Sequence, residues 1–135
     1  MPSRYYSAIA QDTTLASGIT NAANSMTVSA LVGFPASFPY VVAVDYNAAS
    51  EELVLVTNAV GTTLTITRGF NGSTGVSHSA GAVVRHVIVA QDLTDAQNHY
   101  DATTSVHGIT DTANLSTQDQ VAQAIAATAF LTMGA

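Results

Sequence analysis

Thr62 to Val87, TTLTITRGFNGSTGVSHSAGAVVRHV, decides how this chain folds. It opens with a period of two, Thr63, Thr65 and Thr67 facing one way and Leu64 and Ile66 the other. Such alternation in β-branched residues marks a strand with one buried face. The middle is a loop of Asn, Gly and Ser, in which Gly69 and Gly72 permit positive φ. The closing run is rich in valine. Val83, Val87 and Val89 share one face with Arg85, and Val84 and Ile88 share the other with His86.

Outward from this stretch the same pattern repeats. Val41 to Tyr46 and Glu51 to Thr57 predict a hairpin about a turn at Asn47 to Ser50. Thr13 to Ile19 and Ser25 to Leu31 predict two short strands around Thr20 to Asn24. Pro35 and Pro39 exclude the segment GFPASFPY from a central ladder and favour an ordered, extended loop. Five or six short strands with regular turns predict a mainly β fold, a small antiparallel β-sandwich or barrel over residues 13–91. An arm, residues 1–12, precedes it and has a sticky, weakly structured look, with Arg4 beside Tyr5 and Tyr6.

After Gln91 the period changes. Asp92 is placed to cap a short helix with Leu93, Ala96 and Tyr100 on one stripe. A polar linker containing Gly108 follows. Thr117 and Gln120 then stand at capping-box spacing before a C-terminal helix whose apolar stripe is Val121, Ala124, Ile125 and Ala129. Residues 92–135 therefore read as a helical and linker tail. Its alanines fit either a helix that self-associates or one that docks on its own domain.

Composition excludes several functions. The chain has 135 residues and no cysteine, which removes disulfides, thiolate metal sites and cysteine nucleophiles. It has no lysine and only Arg4, Arg68 and Arg85 against nine carboxylates, a net charge of −6. Nucleic-acid affinity depends on neutralising phosphates, so no nucleic-acid partner is expected. No leader of the secretory type opens the sequence, and no apolar run approaches the ~20 residues of a membrane span. The expectation is a protein made in a cytoplasm and soluble, without a membrane partner. Nine aromatic residues and no Trp predict a small core of Val, Ala, Leu and Thr, which an oligomer or lattice would reinforce.

Reactive constellations are sparse. His99 and His107 are eight residues apart, wider than the pairs on adjacent helical turns that hold zinc. His78 with Ser73, Ser77 or Ser79 would need an orienting carboxylate and an oxyanion pocket to act as a hydrolase, and no nucleophile-elbow motif is present. Glu51 and Glu52 are adjacent, so on a strand they point to opposite faces; one can pair with Arg68 while the other is solvated. Asp45 and Glu51 lack the spacing of a calcium loop. There is no phosphate-binding loop or dinucleotide fingerprint. The expectation is a non-enzyme without cofactor or metal. Phe70, at the tip of its turn, is either a local prop or a partner anchor. Phe34 and Phe38 pose the same choice, and packing at the core or domain edge is favoured.

The order of these elements resembles a module of tailed-bacteriophage virion proteins. Gly33, Phe34 and Pro35 come first, then paired Glu51 and Glu52, then Arg68, Gly69, Asn71 and Gly72, then His78, Gly81 and His86. Tyr100 to Leu115, YDATTSVHGITDTANL, resembles a linker of phage fibre and decoration proteins. The resemblance spans roughly residues 33–115. It implies a structural role for His78 and His86, and a virion protein of the capsid-decoration or minor-tail type. The expected function is a decoration (cement) protein on the outer head surface, binding the major capsid protein and itself as a homotrimer. A minor tail, collar or fibre-adaptor protein is the alternative, and a carbohydrate-binding module a third. Arg4, Tyr5, Tyr6 and Phe70, with Val121, Ile125, Ala129 and Phe130 on the last helix, are the candidate partner and oligomer contacts.

Overall fold

The computed structural model describes residues 3–102, 104–106, 109–111 and 118–134. They form two compact units, Met1–Thr94 and Asp95–Ala135. The first is a six-stranded antiparallel curled sheet of order β1-β6-β3-β4-β5-β2. Its strands are β1 (Thr13–Thr14), β2 (Ser25–Thr27), β3 (Tyr40–Val44), β4 (Glu52–Val60), β5 (Thr63–Thr67) and β6 (Val83–His86).

The curl brings the two edge strands together. Leu15 bridges Val28, flanked by Ala16 N–H to Thr27 O at 2.8 Å and Ser29 N–H to Thr14 O at 2.9 Å. Edges that meet offer little ladder to a stray strand. The alternation seen in the sequence decides what lies inside. Leu64 and Ile66 of β5 are buried while Thr63, Thr65 and Thr67 face out. Tyr40, Val42 and Val44 of β3 and Val54 and Val56 of β4 join them, with Leu15, Met26, Val28, Ala82 and Val84 completing the core. Phe34 and Phe38 pack against this core, partly buried, Phe38 stacking on Tyr40 with ring centroids 5.6 Å apart. At about 1.5–3 kcal/mol for each fully buried large aliphatic side chain, this shared interior is the dominant stabilising element of the unit.

Strand bounds differ from the sequence reading where pairing, not propensity, limits them. Thr13 to Ile19 contributes only two ladder residues, then isolated bridges at Leu15 and Ile19. Gly18 allows the second bridge: the chain there passes so close to the His78 carbonyl that a Cβ would stand 3.2 Å from it. β4 runs on to Val60, past the end of β3, with a register shift between Val56 and Asn58.

The helix α1 (Ala90–Asp101) begins within the first unit and ends in the second. Asp92 sits in its first turn, where its carboxylate accepts the Val89 N–H at 2.8 Å. That is the returning half of a capping box rather than the N-cap itself. The segment read as a polar linker contains a short hairpin, β7 (Thr104–Val106) with β8 (Ile109–Asp111). α2 (Gln118–Met133) is the C-terminal helix. Thr117, its expected cap, and His107 lie outside the described residues.

Candidate functional site

The curled sheet ends in a buried ionic cluster. Glu52 has the same strand parity as Val54 and Val56, so it points into the sheet interior and is fully buried. Arg68 follows Leu64 and Ile66 in the same parity and leaves β5 towards that end. Its Nε donates to Glu52 Oε1 at 2.8 Å and its Nη2 to Oε2 at 2.6 Å, a two-pronged carboxylate clamp. The backbone N–H groups of Gly69 and Val76 donate to the same carboxylate at 2.8 and 3.1 Å. Arg68 also donates to the carbonyls of Thr20 and Val76.

His78 closes the cluster. Its Nε2 lies 3.0 Å from Glu52 Oε2 and its Nδ1 2.7 Å from Asp45 Oδ2. The ring is thus held between two carboxylates, one at each nitrogen. Asp45 in turn accepts the Ser50 hydroxyl at 3.0 Å. The neighbouring Ser73 hydroxyl is bonded to Leu53 and Phe70 backbone, not to histidine.

Burial by itself would push the Glu52 carboxyl up. Arg68, the Gly69 N–H, His78 and the Val76 N–H outweigh it and hold the group down at about 2. Both nitrogens of His78 are engaged by carboxylates, and the ring is 4% exposed. No ring nitrogen is left to activate a serine, as general-base catalysis requires. The chemistry of this arrangement is mechanical: it staples residues 45, 52, 68, 69, 76 and 78 into one closure. Of the two glutamates weighed from the sequence, Glu52 is the one paired with Arg68. Glu51 is exposed and accepts the Asn47 N–H at 2.6 Å. Among the described residues no group of three or more His, Cys, Asp or Glu side chains could hold a metal ion.

A second construction fastens the arm. Tyr5 N–H donates to Pro39 O at 2.8 Å and Gln11 N–H to Val32 O at 3.0 Å. Between them, Ser7 N–H donates to His86 Nε2 at 3.2 Å, while His86 Nδ1 bonds Val41 O at 3.0 Å. With Nε2 accepting from Ser7, Nδ1 is the nitrogen that donates to Val41 O. Arg4 pairs with Asp92 and lies 5.7 Å from the Phe70 ring centroid. Burial raises the Asp92 carboxyl, but the Val89 N–H, Tyr6 and Arg4 more than offset this, leaving it below the usual carboxylate range. Residues 4–11, weakly structured by sequence, are thus tied to the first unit by their backbone, which composition does not reveal.

The candidate contact residues fall into two groups. Arg4, Tyr6 and Phe70 are brought together around Asp92, and Tyr5 and Tyr6 remain about half exposed. Val121, Ile125, Ala129 and Phe130 lie on α2, where every described side chain is exposed. After Asp119 this helix carries no charge, and Ile125, Phe130 and Leu131 are each at least 65% exposed. The sequence reading missed Asp45 and Asp92 as partners, and Gly33 as the point where the arm presses on the body. Gly33 has a φ of +73°, and a Cβ there would stand 2.2 Å from the Ile9 carbonyl oxygen. No protein-family model and no curated protein sequence matches the chain.

Proposed function

We propose that this chain is a structural protein of a tailed-phage virion, a decoration protein that binds the outer head surface and reinforces the major capsid lattice. One observation carries the reading. Residues that bear the resemblance, Glu52, Arg68, Gly69, His78 and His86, serve to brace loops and the arm, their polar groups engaged with one another or with backbone. A module whose described polar residues are spent on internal bracing suits a virion part.

Charge supports the outer face. All three arginines are held in ion pairs, Arg4 with Asp92, Arg68 with Glu52 and Arg85 with Asp12, so none remains to meet packaged DNA. The exposed apolar side chains of α2 suit self-association, as a trimer in this reading, and the arm suits capsid contact. Modest contacts repeated over several capsid subunits would add through high effective concentration.

Densitometry of purified virions tests this. Hundreds of copies per particle are expected, and deleting residues 1–10 should lower occupancy while the β unit stays folded. A few to a dozen copies would instead make the chain a tail, collar or fibre-adaptor part.

A further inference from the structure

The outer side of the β3–β4 pair carries an open hollow of about 410 Å³, lined by Ala43, Tyr46, Glu51, Leu53, Val87 and Ile88. Its floor is apolar because Ala43 and Leu53 are register partners, with the parity opposite to that of the core residues Val42, Val44 and Val54. One wall is Ile88, 68% exposed and continuous with the apolar floor. Glu51 brings a carboxylate to this apolar lining.

We propose that this hollow receives an apolar side chain of a different polypeptide, flanked by a lysine or arginine that pairs with Glu51. Charge decides against a second copy of this chain as the occupant. The sequence contains no lysine, and Arg4, Arg68 and Arg85 are each engaged with an internal carboxylate. A foreign segment that supplies its own cation matches both the carboxylate and the apolar floor, and a hydrophobic anchor inside a charged rim is how protein contacts are commonly built. The proposal rests on the reading that the β unit docks on another protein, and it names the chemistry of that contact.

The test is selection of a random-peptide display library on the immobilised full chain, at low and at 0.5 M salt. Glu51→Lys and Ile88→Asp proteins serve as counter-selectors. Ile88 is exposed, so its variant should melt like wild type; Glu51→Gln keeps an acceptor for the Asn47 N–H and controls for the turn bond that Glu51→Lys loses. Enriched peptides should place Lys or Arg within two residues of Leu, Ile or Phe. Their binding should fall at least tenfold on Ile88→Asp and at least threefold on Glu51→Gln or in high salt. No enrichment, peptides without a basic residue, or binding undiminished in both variants would overturn the proposal. Failure here leaves the virion copy number untouched, whereas a non-virion protein would fail that measurement whatever peptides bind.

Discussion

Replacing Glu52 by Gln is the most direct test of the buried closure. Oε1 of Glu52 accepts from Arg68 Nε and Gly69 N–H, and Oε2 accepts from Arg68 Nη2, Val76 N–H and His78. Whichever oxygen becomes an amide NH₂, it faces at least two donors and can accept from neither. The Arg68 guanidinium also loses its counter-charge. Removing one partner of a buried ion pair costs about 3–5 kcal/mol, against a total of about 5–15 kcal/mol for an ordinary domain. Urea unfolding at pH 7, followed by circular dichroism, should show a loss in that range. A loss below about 1 kcal/mol would refute the claim that this carboxylate staples the sheet end.

The same variant isolates a pH effect. Glu52 is held at about 2 in the folded protein against 4.5 ordinarily, so the unfolded chain binds its proton more readily. The contribution is therefore complete above about pH 4.5 and is lost as pH falls towards 2. At about 1.4 kcal/mol per pH unit that interval caps the effect at about 3 kcal/mol. Asp12 and Asp92 are also depressed, by the Arg85 hydrogen bond and by the Val89, Tyr6 and Arg4 contacts, and they act in the same direction. Wild type and Glu52→Gln should thus both weaken in acid, the variant with the shallower slope. Equal slopes between pH 4.5 and 2 would mean that Glu52 is not the titrating group.

Two other perturbations probe the arm and the tail helix. Gly33→Ala would force a Cβ into the Ile9 carbonyl at a positive φ; amide exchange at Ser7 and Gln11 should accelerate at least tenfold, with Val42 and Val54 still protected. Unchanged exchange would show that the arm is not seated on Gly33. Ile125→Asp should loosen self-association by about 1.5–3 kcal/mol for each buried copy of the side chain, read by light scattering across a dilution series, and a wild type that stays monomeric at high concentration would remove α2 as the free protein's oligomer contact.

The strands were legible in the sequence because their period of two is local, and what escaped was long-range. Leu64 and Ile66 announce a buried face from five residues of text. Arg68 and Glu52 continue the inward parity of their strands, a charge placed where the pattern calls for a hydrophobe. Parity alone could not choose between the glutamates, because Glu51 stands in line with Leu53 and Leu55 just as Glu52 does with Val54 and Val56. Asp45 carried no such sign: it reaches His78 only because the β3–β4 turn folds back with Asp45 and Asn47 at positive φ. The arm was the least legible part, since its anchors are backbone N–H groups that every sequence possesses. Gly33 was the one available clue, standing in the text as the first residue of Gly-Phe-Pro. Its lack of a side chain makes room for the Ile9 carbonyl, so a local spacing motif and a tertiary contact are the same residue seen at two levels.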